Sequence, residues 1–321
     1  MRINSDRNRR PPATGKPKGG ILGDIARNRT LLLMIAPALV YFVILRYLPL
    51  VGNILAFKRF NYVDGLWGSP WIGLGNFDFL VKSGALFRIT RNTILYNAAF
   101  LLVGTITEIV IAIVISELAS KSFKKVAQTC LFLPYFVSYV LVGAFVYNLC
   151  NFEFGTVNSF LKSVGLEPID LYGNVGIWKY IILAFHEWKG IGYGTVIYLA
   201  AITGIDSELY EAARIDGASI WGQIRWITVP LLKPTVVIIT LFAIGRIMRG
   251  QFELFYQIIG ENGHLFDQTD IIDTYVFRSL TRMFDVGMGT AVGLYQSFFG
   301  FLLVLGANWA VKKFNDEYAL F

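Results

Sequence analysis

The sequence predicts an all-α, polytopic membrane protein with six transmembrane helices. Three observations predict it. Of the 321 residues, 55% are apolar and only 16% are charged, with a mean hydropathy of +0.54; a soluble chain of this length carries more charge and shorter apolar runs. Six apolar runs each reach the roughly 20 residues that a helix needs to cross a bilayer. The polar residues collect between those runs and in a basic N-terminal stretch, so the chain reads as alternating spans and loops.

The first element is the tail, residues 1–29, with Arg2, Arg7, Arg9, Arg10, Lys16, Lys18, Arg27 and Arg29 against Asp6 and Asp24. Its prolines and glycines suit a solvated, irregular segment. A basic run can also bind nucleic acid, but an apolar run follows at once, so the tail reads as a topogenic signal that keeps the N-terminus in the cytoplasm. Its length and the spanning length of the next run argue against a cleavable signal peptide. The spans are expected near 31–57, 92–117, 126–150, 177–203, 228–256 and 288–311. They form a permease-like body, residues 30–312, followed by a C-terminal tail, 313–321. An even span count returns the C-terminus, beside Lys312 and Lys313, to the cytoplasm. The loop with Lys121, Lys124 and Lys125 then obeys the positive-inside rule. The outer loop 58–91, with Lys58, Arg59, Lys82, Arg88 and Arg91, does not. Cys130 and Cys150 fall on one expected helix, where twenty residues place them roughly 30 Å apart, beyond the reach of a disulfide.

The loop 204–227 is a polar island between two apolar segments. Glu208, Glu211, Ala212 and Ala213 favour a helix, Asp216-Gly217 a stop and turn. A second amphipathic run covers Ser219 to Trp226, and Pro230 opens the next apolar segment. The pattern is two short helices folded back at Gly217, the residue that takes φ > 0 without strain. Glu-Ala-Ala alone is common in helices. The whole spacing is more specific: Glu211-Ala212-Ala213, then Gly217, Ile227 and Pro230. It resembles the signature loop of permeases in binding-protein-dependent ABC importers, with Val229 where leucine is usual. Leu133-Pro134-Tyr135, Gly155-Thr156-Val157-Asn158, Ile197-Tyr198-Leu199-Ala200-Ala201 and Asp270-Ile271-Ile272-Asp273-Thr274-Tyr275 are similar to the same family, in its maltose and polysaccharide branch.

That resemblance implies the maltose-type permease fold, with loop 204–227 as the cytoplasmic coupling helix seated in an ATPase cleft. It implies a second homologous permease, two ATPase subunits that hold ATP and magnesium, an extracytoplasmic solute-binding protein and an oligosaccharide substrate in a bacterial cytoplasmic membrane. No cofactor and no enzymatic activity are expected in this chain. It has no Gly-x-x-x-x-Gly-Lys-Ser/Thr phosphate loop, and His186 and His264 lack metal-ligand spacing. An ion-coupled secondary transporter would need a coupling acid in a broken helix. Glu108 is the one candidate, and it suits interhelical contact equally well.

Charges at membrane depth are costly and mark cavities or partners. The fourth expected span holds His186, Glu187 and Lys189; the fifth holds Arg246 and Arg249. Each cation pair is three residues apart and shares a helix face. Two readings stand side by side: an internal ion-pair network with Glu187 or Glu253, or a cavity for an acidic saccharide such as a uronate oligomer. The resemblance to maltose-type permeases implies sugar contacts at His186, Lys189, Gly190 and Tyr193 before the loop, and near Ala243, Ile247 and Gly250, beside Arg246 and Arg249, after it. Tyr135 and Tyr139 match the contribution of the third span. Aromatic faces suit sugar C–H groups, and a neutral oligosaccharide remains the alternative substrate.

Overall fold

A computed structural model describes residues 28–314 of the chain. Most of the basic tail (1–27) and of the C-terminal tail (315–321) lies outside the described residues. Among the described residues the structure is helical, with no strand beyond an isolated bridge between Lys58 and Trp71.

The chain divides into two units, up to Gly52 and from Asn53 onward. In the first, helix α1 (Arg29–Phe42) runs through Pro37 and buries none of its residues; a π turn, Val43–Tyr47, follows it. The second unit holds α2 (Gly75–Lys82), α3 (Ala85–Ser116), α4 (Lys121–Phe132), α5 (Tyr139–Cys150), α6 (Thr156–Ser163) and α7 (Trp178–Thr203). Then come α8 (Ser207–Ile215), α9 (Ile220–Ile244), α10 (Phe252–Ile259), α11 (Ile272–Thr281) and α12 (Val286–Phe314).

Among the described residues, four helical stretches are long and apolar enough to cross a membrane: Arg29–Phe57, α3, α9 and α12. The pair α4 and α5 passes together as a bent fifth. Helix α7 has the length, 26 residues, but Lys179, Glu187 and Lys189 lower its hydrophobicity. Among the described residues there are thus four spans by length and composition, or five with the bent pair, where six are expected.

Two expected spans are interrupted. The third, read as one helix over 126–150, bends by 93°. Pro134 lies in a 3₁₀ turn, Leu133–Phe136, after which Val137 and Ser138 are extended. The Ser138 hydroxyl then caps α5 by accepting from Leu141 N–H. Cys130 and Cys150 consequently sit on different helices, both as free thiols. The fifth span, expected over 228–256, starts earlier and stops at Ile244. Pro230 stands in the first turn of the α-helical part of this stretch, Val229–Ile244, directly after the π turn Ile224–Thr228.

Helices α3 and α7 share the largest helix–helix interface, which interlocks through glycine. A Cβ on Gly194 would fall within the carboxyl group of Glu108, and the Glu187 carboxylate lies over Gly104. Each helix thus supplies a glycine gap for the other's glutamate, and Glu108 is an interhelical contact. Gly194→Ala forces Glu108 out of its gap. It is expected to cost about 1–3 kcal/mol as overpacking, read as a lower thermal midpoint of the purified protein, whereas Gly190→Ala, where no atom lies within 4 Å of the added Cβ, should be near neutral.

Candidate functional site

The hairpin read from the sequence forms as two short helical stretches. The Asp206 carboxylate caps α8 by accepting from Glu208 N–H, and Ser219 caps the start of α9 by accepting from Gly222 N–H. Between them Gly217 takes φ +81°, and Ala218 N–H donates back to Ala213 O at 2.9 Å, a glycine-terminated helix end. Tyr210 Oη and Thr228 Oγ1, 2.9 Å apart, tie α8 to the base of α9. Glu211, Ala212, Gly217 and Pro230 are exposed, while Ala213 and Ile227 are half-buried. Around them Ile215 is 87% exposed, Trp221 79% and Trp226 73%. Apolar side chains so exposed mark an interaction surface, with a protein or with a membrane.

The second feature is the interruption after α9. Arg246 and Arg249 do not share a helix face: residues 245–250 leave the helix in tight turns, with Arg249 N–H donating to Arg246 O at 2.8 Å. Where the helix stops, its carbonyl and amide groups need other partners, and side chains from three elements supply them. Asn97 of α3 donates from Nδ2 to Ile247 O at 2.9 Å and Arg249 O at 3.0 Å. Gln296 of α12 donates from Nε2 to Met248 O at 2.7 Å. Asp273 of α11 accepts from Gly250 N–H at 2.6 Å and from Gln296. Burial pushes the Asp273 carboxyl above the usual carboxylate range, against the pull of the Gly250 and Gln296 donors and the Arg249 charge. Gly250 is required by close approach, since a Cβ there would run into Ile271 and Asp273.

The break opens on a cavity of about 520 Å³ lined by Asn97, His186, Ala243, Arg246, Arg249 and Gly250, among others. The structure therefore brings together three of the four cations singled out in the sequence. His186 stacks on Phe100, centroids 3.7 Å apart and 7° from parallel, with Nδ1 3.3 Å from Glu187 Oε1. Arg246 and Arg249 are exposed and have no ion-pair partner among the described residues.

Lys189 is elsewhere. It is 9% exposed and donates from Nζ to Tyr135 O at 2.6 Å and Val137 O at 2.5 Å. These are the carbonyls freed by the bend of the third span. The ammonium also lies 4.9 Å from the Tyr139 ring centroid. A separate cavity of about 760 Å³ contains Lys189 with Tyr135, Tyr139, Phe252, Glu253 and Tyr256. Tyr193, half exposed, stacks on Tyr135 at 5.2 Å. The sequence singles out neither Asn97 nor Gln296, and Asp273 only within a stretch similar to the family. The available signal was a lone amide inside an apolar run, at Asn97 and again at Gln296.

Known proteins carry the same pattern. The family model described as "binding-protein-dependent transport system inner membrane component" matches residues 108–315. Protein LplB of Bacillus subtilis is 31% identical over 91% of this chain and 92% of its own length. The polygalacturonan/rhamnogalacturonan transport system permease protein YteP of the same organism is 32% identical over 92% of both chains. Among solved structures, a bacterial ABC transporter involved in the import of the acidic polysaccharide alginate aligns with a TM-score of 0.83. It is 30% identical, with 92% of this chain and 99% of that chain covered. A second structure of an alginate ABC transporter, in complex with a periplasmic protein bound to alginate pentasaccharide, aligns with a TM-score of 0.81 at 29% identity, covering 92% and 98%.

Proposed function

This chain belongs to the family of inner-membrane components of binding-protein-dependent transport systems, and on that premise we propose that it translocates acidic oligosaccharides of the uronate type. As a permease subunit it is not itself an enzyme. The observation that carries the substrate reading is the cavity after α9, where Arg246 and Arg249, exposed and in no ion pair among the described residues, stand beside His186. In a partly dehydrated cavity a carboxylate–guanidinium contact is bidentate and stronger than a neutral hydrogen bond. Two of the similar proteins are named for acidic polymers, polygalacturonan and alginate, which supports the same reading.

The proposed assembly contains this chain, a second homologous permease, two ATPase subunits holding ATP and magnesium, and an extracytoplasmic solute-binding protein. Both termini lie in the cytoplasm with the α8 hairpin. Closure of the ATPase pair moves the hairpin, and the spans exchange an inward-facing cavity for an outward-facing one. The exposed Ile215, Trp221 and Trp226 support docking of the hairpin in an ATPase cleft.

The test compares Arg246→Gln and Arg249→Gln with wild type in reconstituted vesicles, using acidic and carboxyl-reduced oligosaccharides of equal length. A hydrogen bond to a charged group contributes about 1.5–3 kcal/mol, so each variant should lose about tenfold to a hundredfold in transport of the acidic sugar at low concentration. Transport of the reduced sugar should change little. Equal losses for both sugars would make the arginines structural, and a wild type that prefers the reduced sugar would leave the neutral-oligosaccharide alternative standing.

A further inference from the structure

The two arginines are held by their backbone rather than by their side chains. Neither guanidinium has a hydrogen-bond partner among the described residues, whereas the peptide groups around them are tied at four points. Asn97 is the centre of this arrangement. The two hydrogens of its Nδ2 are shared among three carbonyls, Thr93 O within α3 and, across the interface, Ile247 O and Arg249 O. It also lines the cavity that the arginines face. On the other side of the turn, Gln296 holds the Met248 carbonyl while contacting Asp273, which holds the Gly250 N–H. Met248 itself is 3% exposed and packs with Ile272, Met288 and Val292, so the middle of the turn is anchored to α11 and α12 while its two arginine-bearing ends meet the cavity.

We propose that Asn97 and Gln296 are positioning residues for transport: they fix the path of residues 246–250 and so set the placement of Arg246 and Arg249 toward a saccharide carboxylate. The inference rests on the acidic-saccharide reading of the same cavity. Three backbone carbonyls in sequence, Ile247, Met248 and Arg249, are each met by an amide donor from a neighbouring helix. A turn released from those donors re-forms different local hydrogen bonds and rotates the arginines. A misplacement on the order of 1 Å can cost a bidentate contact 10²-fold, so the arginines would persist in the chain yet fail to discriminate.

The experiment uses the complete importer in vesicles and reads the half-saturating concentration, the maximal rate and the ratio of acidic to carboxyl-reduced transport. Asn97→Leu should raise the half-saturating concentration for the acidic sugar about tenfold and lower the acidic preference by a similar factor, with a smaller change in maximal rate. Asn97→Gln, which keeps an amide donor, should restore part of the preference. In an Arg246→Gln/Arg249→Gln background, Asn97→Leu should change the ratio no further. If the double arginine variant keeps the acidic preference, the substrate reading fails and takes this inference with it. If the arginine variant loses the preference while Asn97→Leu keeps it, the positioning role alone is overturned. Should Asn97→Leu fail to assemble, Gln296→Leu, which frees the Met248 carbonyl and removes one donor from Asp273, carries the same comparison; failure of both to assemble would reduce these contacts to supports of the fold.

Discussion

Gly217→Pro and Glu211→Lys should each abolish transport while leaving membrane insertion, and the solute-binding protein's affinity for sugar, intact. Gly217 occupies φ +81° at the end of α8, a conformation open to glycine and closed to proline, whose ring fixes φ near −65°. Proline also removes the N–H that donates to Arg214 O. The two arms of the hairpin would then separate, and the exposed Ile215 and Trp221 would no longer present one surface. Glu211 makes no hydrogen bond or ion pair among the described residues and is exposed, so its reversal to lysine leaves the fold unaltered and acts on a partner's complementary charge. Because the residues lie outside the spans, protein yield and insertion serve as internal controls. Vesicles of the reconstituted complex should show no sugar uptake and no stimulation of ATP hydrolysis by loaded binding protein. Full transport by both variants would remove the hairpin from the coupling route.

Lys189→Met should damage the protein itself. The ammonium satisfies two carbonyls, of Tyr135 and Val137, at the bend of the third span. Methionine matches the length of the side chain but donates nothing. Both contacts are part-buried, so the loss of their shared donor is expected to cost about 1–3 kcal/mol for the pair, a noticeable share of the stability of a typical domain. The measurable outcome is a sharply lower thermal midpoint and poor recovery from detergent, with partial rescue by Lys189→Arg. The ratio of acidic to reduced sugar transport in whatever protein survives should stay at the wild-type value. A stable Lys189→Met with a lost acidic preference would instead return Lys189 to the substrate path.

Much of this fold is legible in the sequence because lipid imposes a single demand, an apolar run of spanning length, and because Gly217 and the residues spaced around it need one particular turn. The two interruptions are illegible for the same reason. Apolar residues continue on both sides of Leu133–Ser138 and of Gly245–Gln251, so hydropathy reads straight through a bend that hydrogen bonds from other helices create. Three-residue spacing then placed Arg246 and Arg249 on a helix face that does not exist, while the arginines still reach a common cavity. Lys189 was grouped with His186 by spacing along α7, yet a single turn of helix separates two cavities. Pro134 and the flanking Gly245 and Gly250 were the local signs. What they could not reveal is that Asn97, about 150 residues away in sequence, and Gln296 would supply the missing partners.

Helix α9 runs without interruption from Ile220 to Ile244, about 37 Å at 1.5 Å per residue. Its first turn belongs to the hairpin that begins at Ser207, and its last residue precedes Arg246 by two. One continuous helical stretch, wound as a π turn over Ile224–Thr228, thus has the exposed hairpin at one end and the arginines at the other. A rod of this length converts a tilt of about 6° at its base into a travel of about 4 Å at its tip, more than the length of a hydrogen bond. In the proposed cycle, the stroke that makes or releases a contact with a sugar carboxylate is therefore within the reach of a small rocking motion.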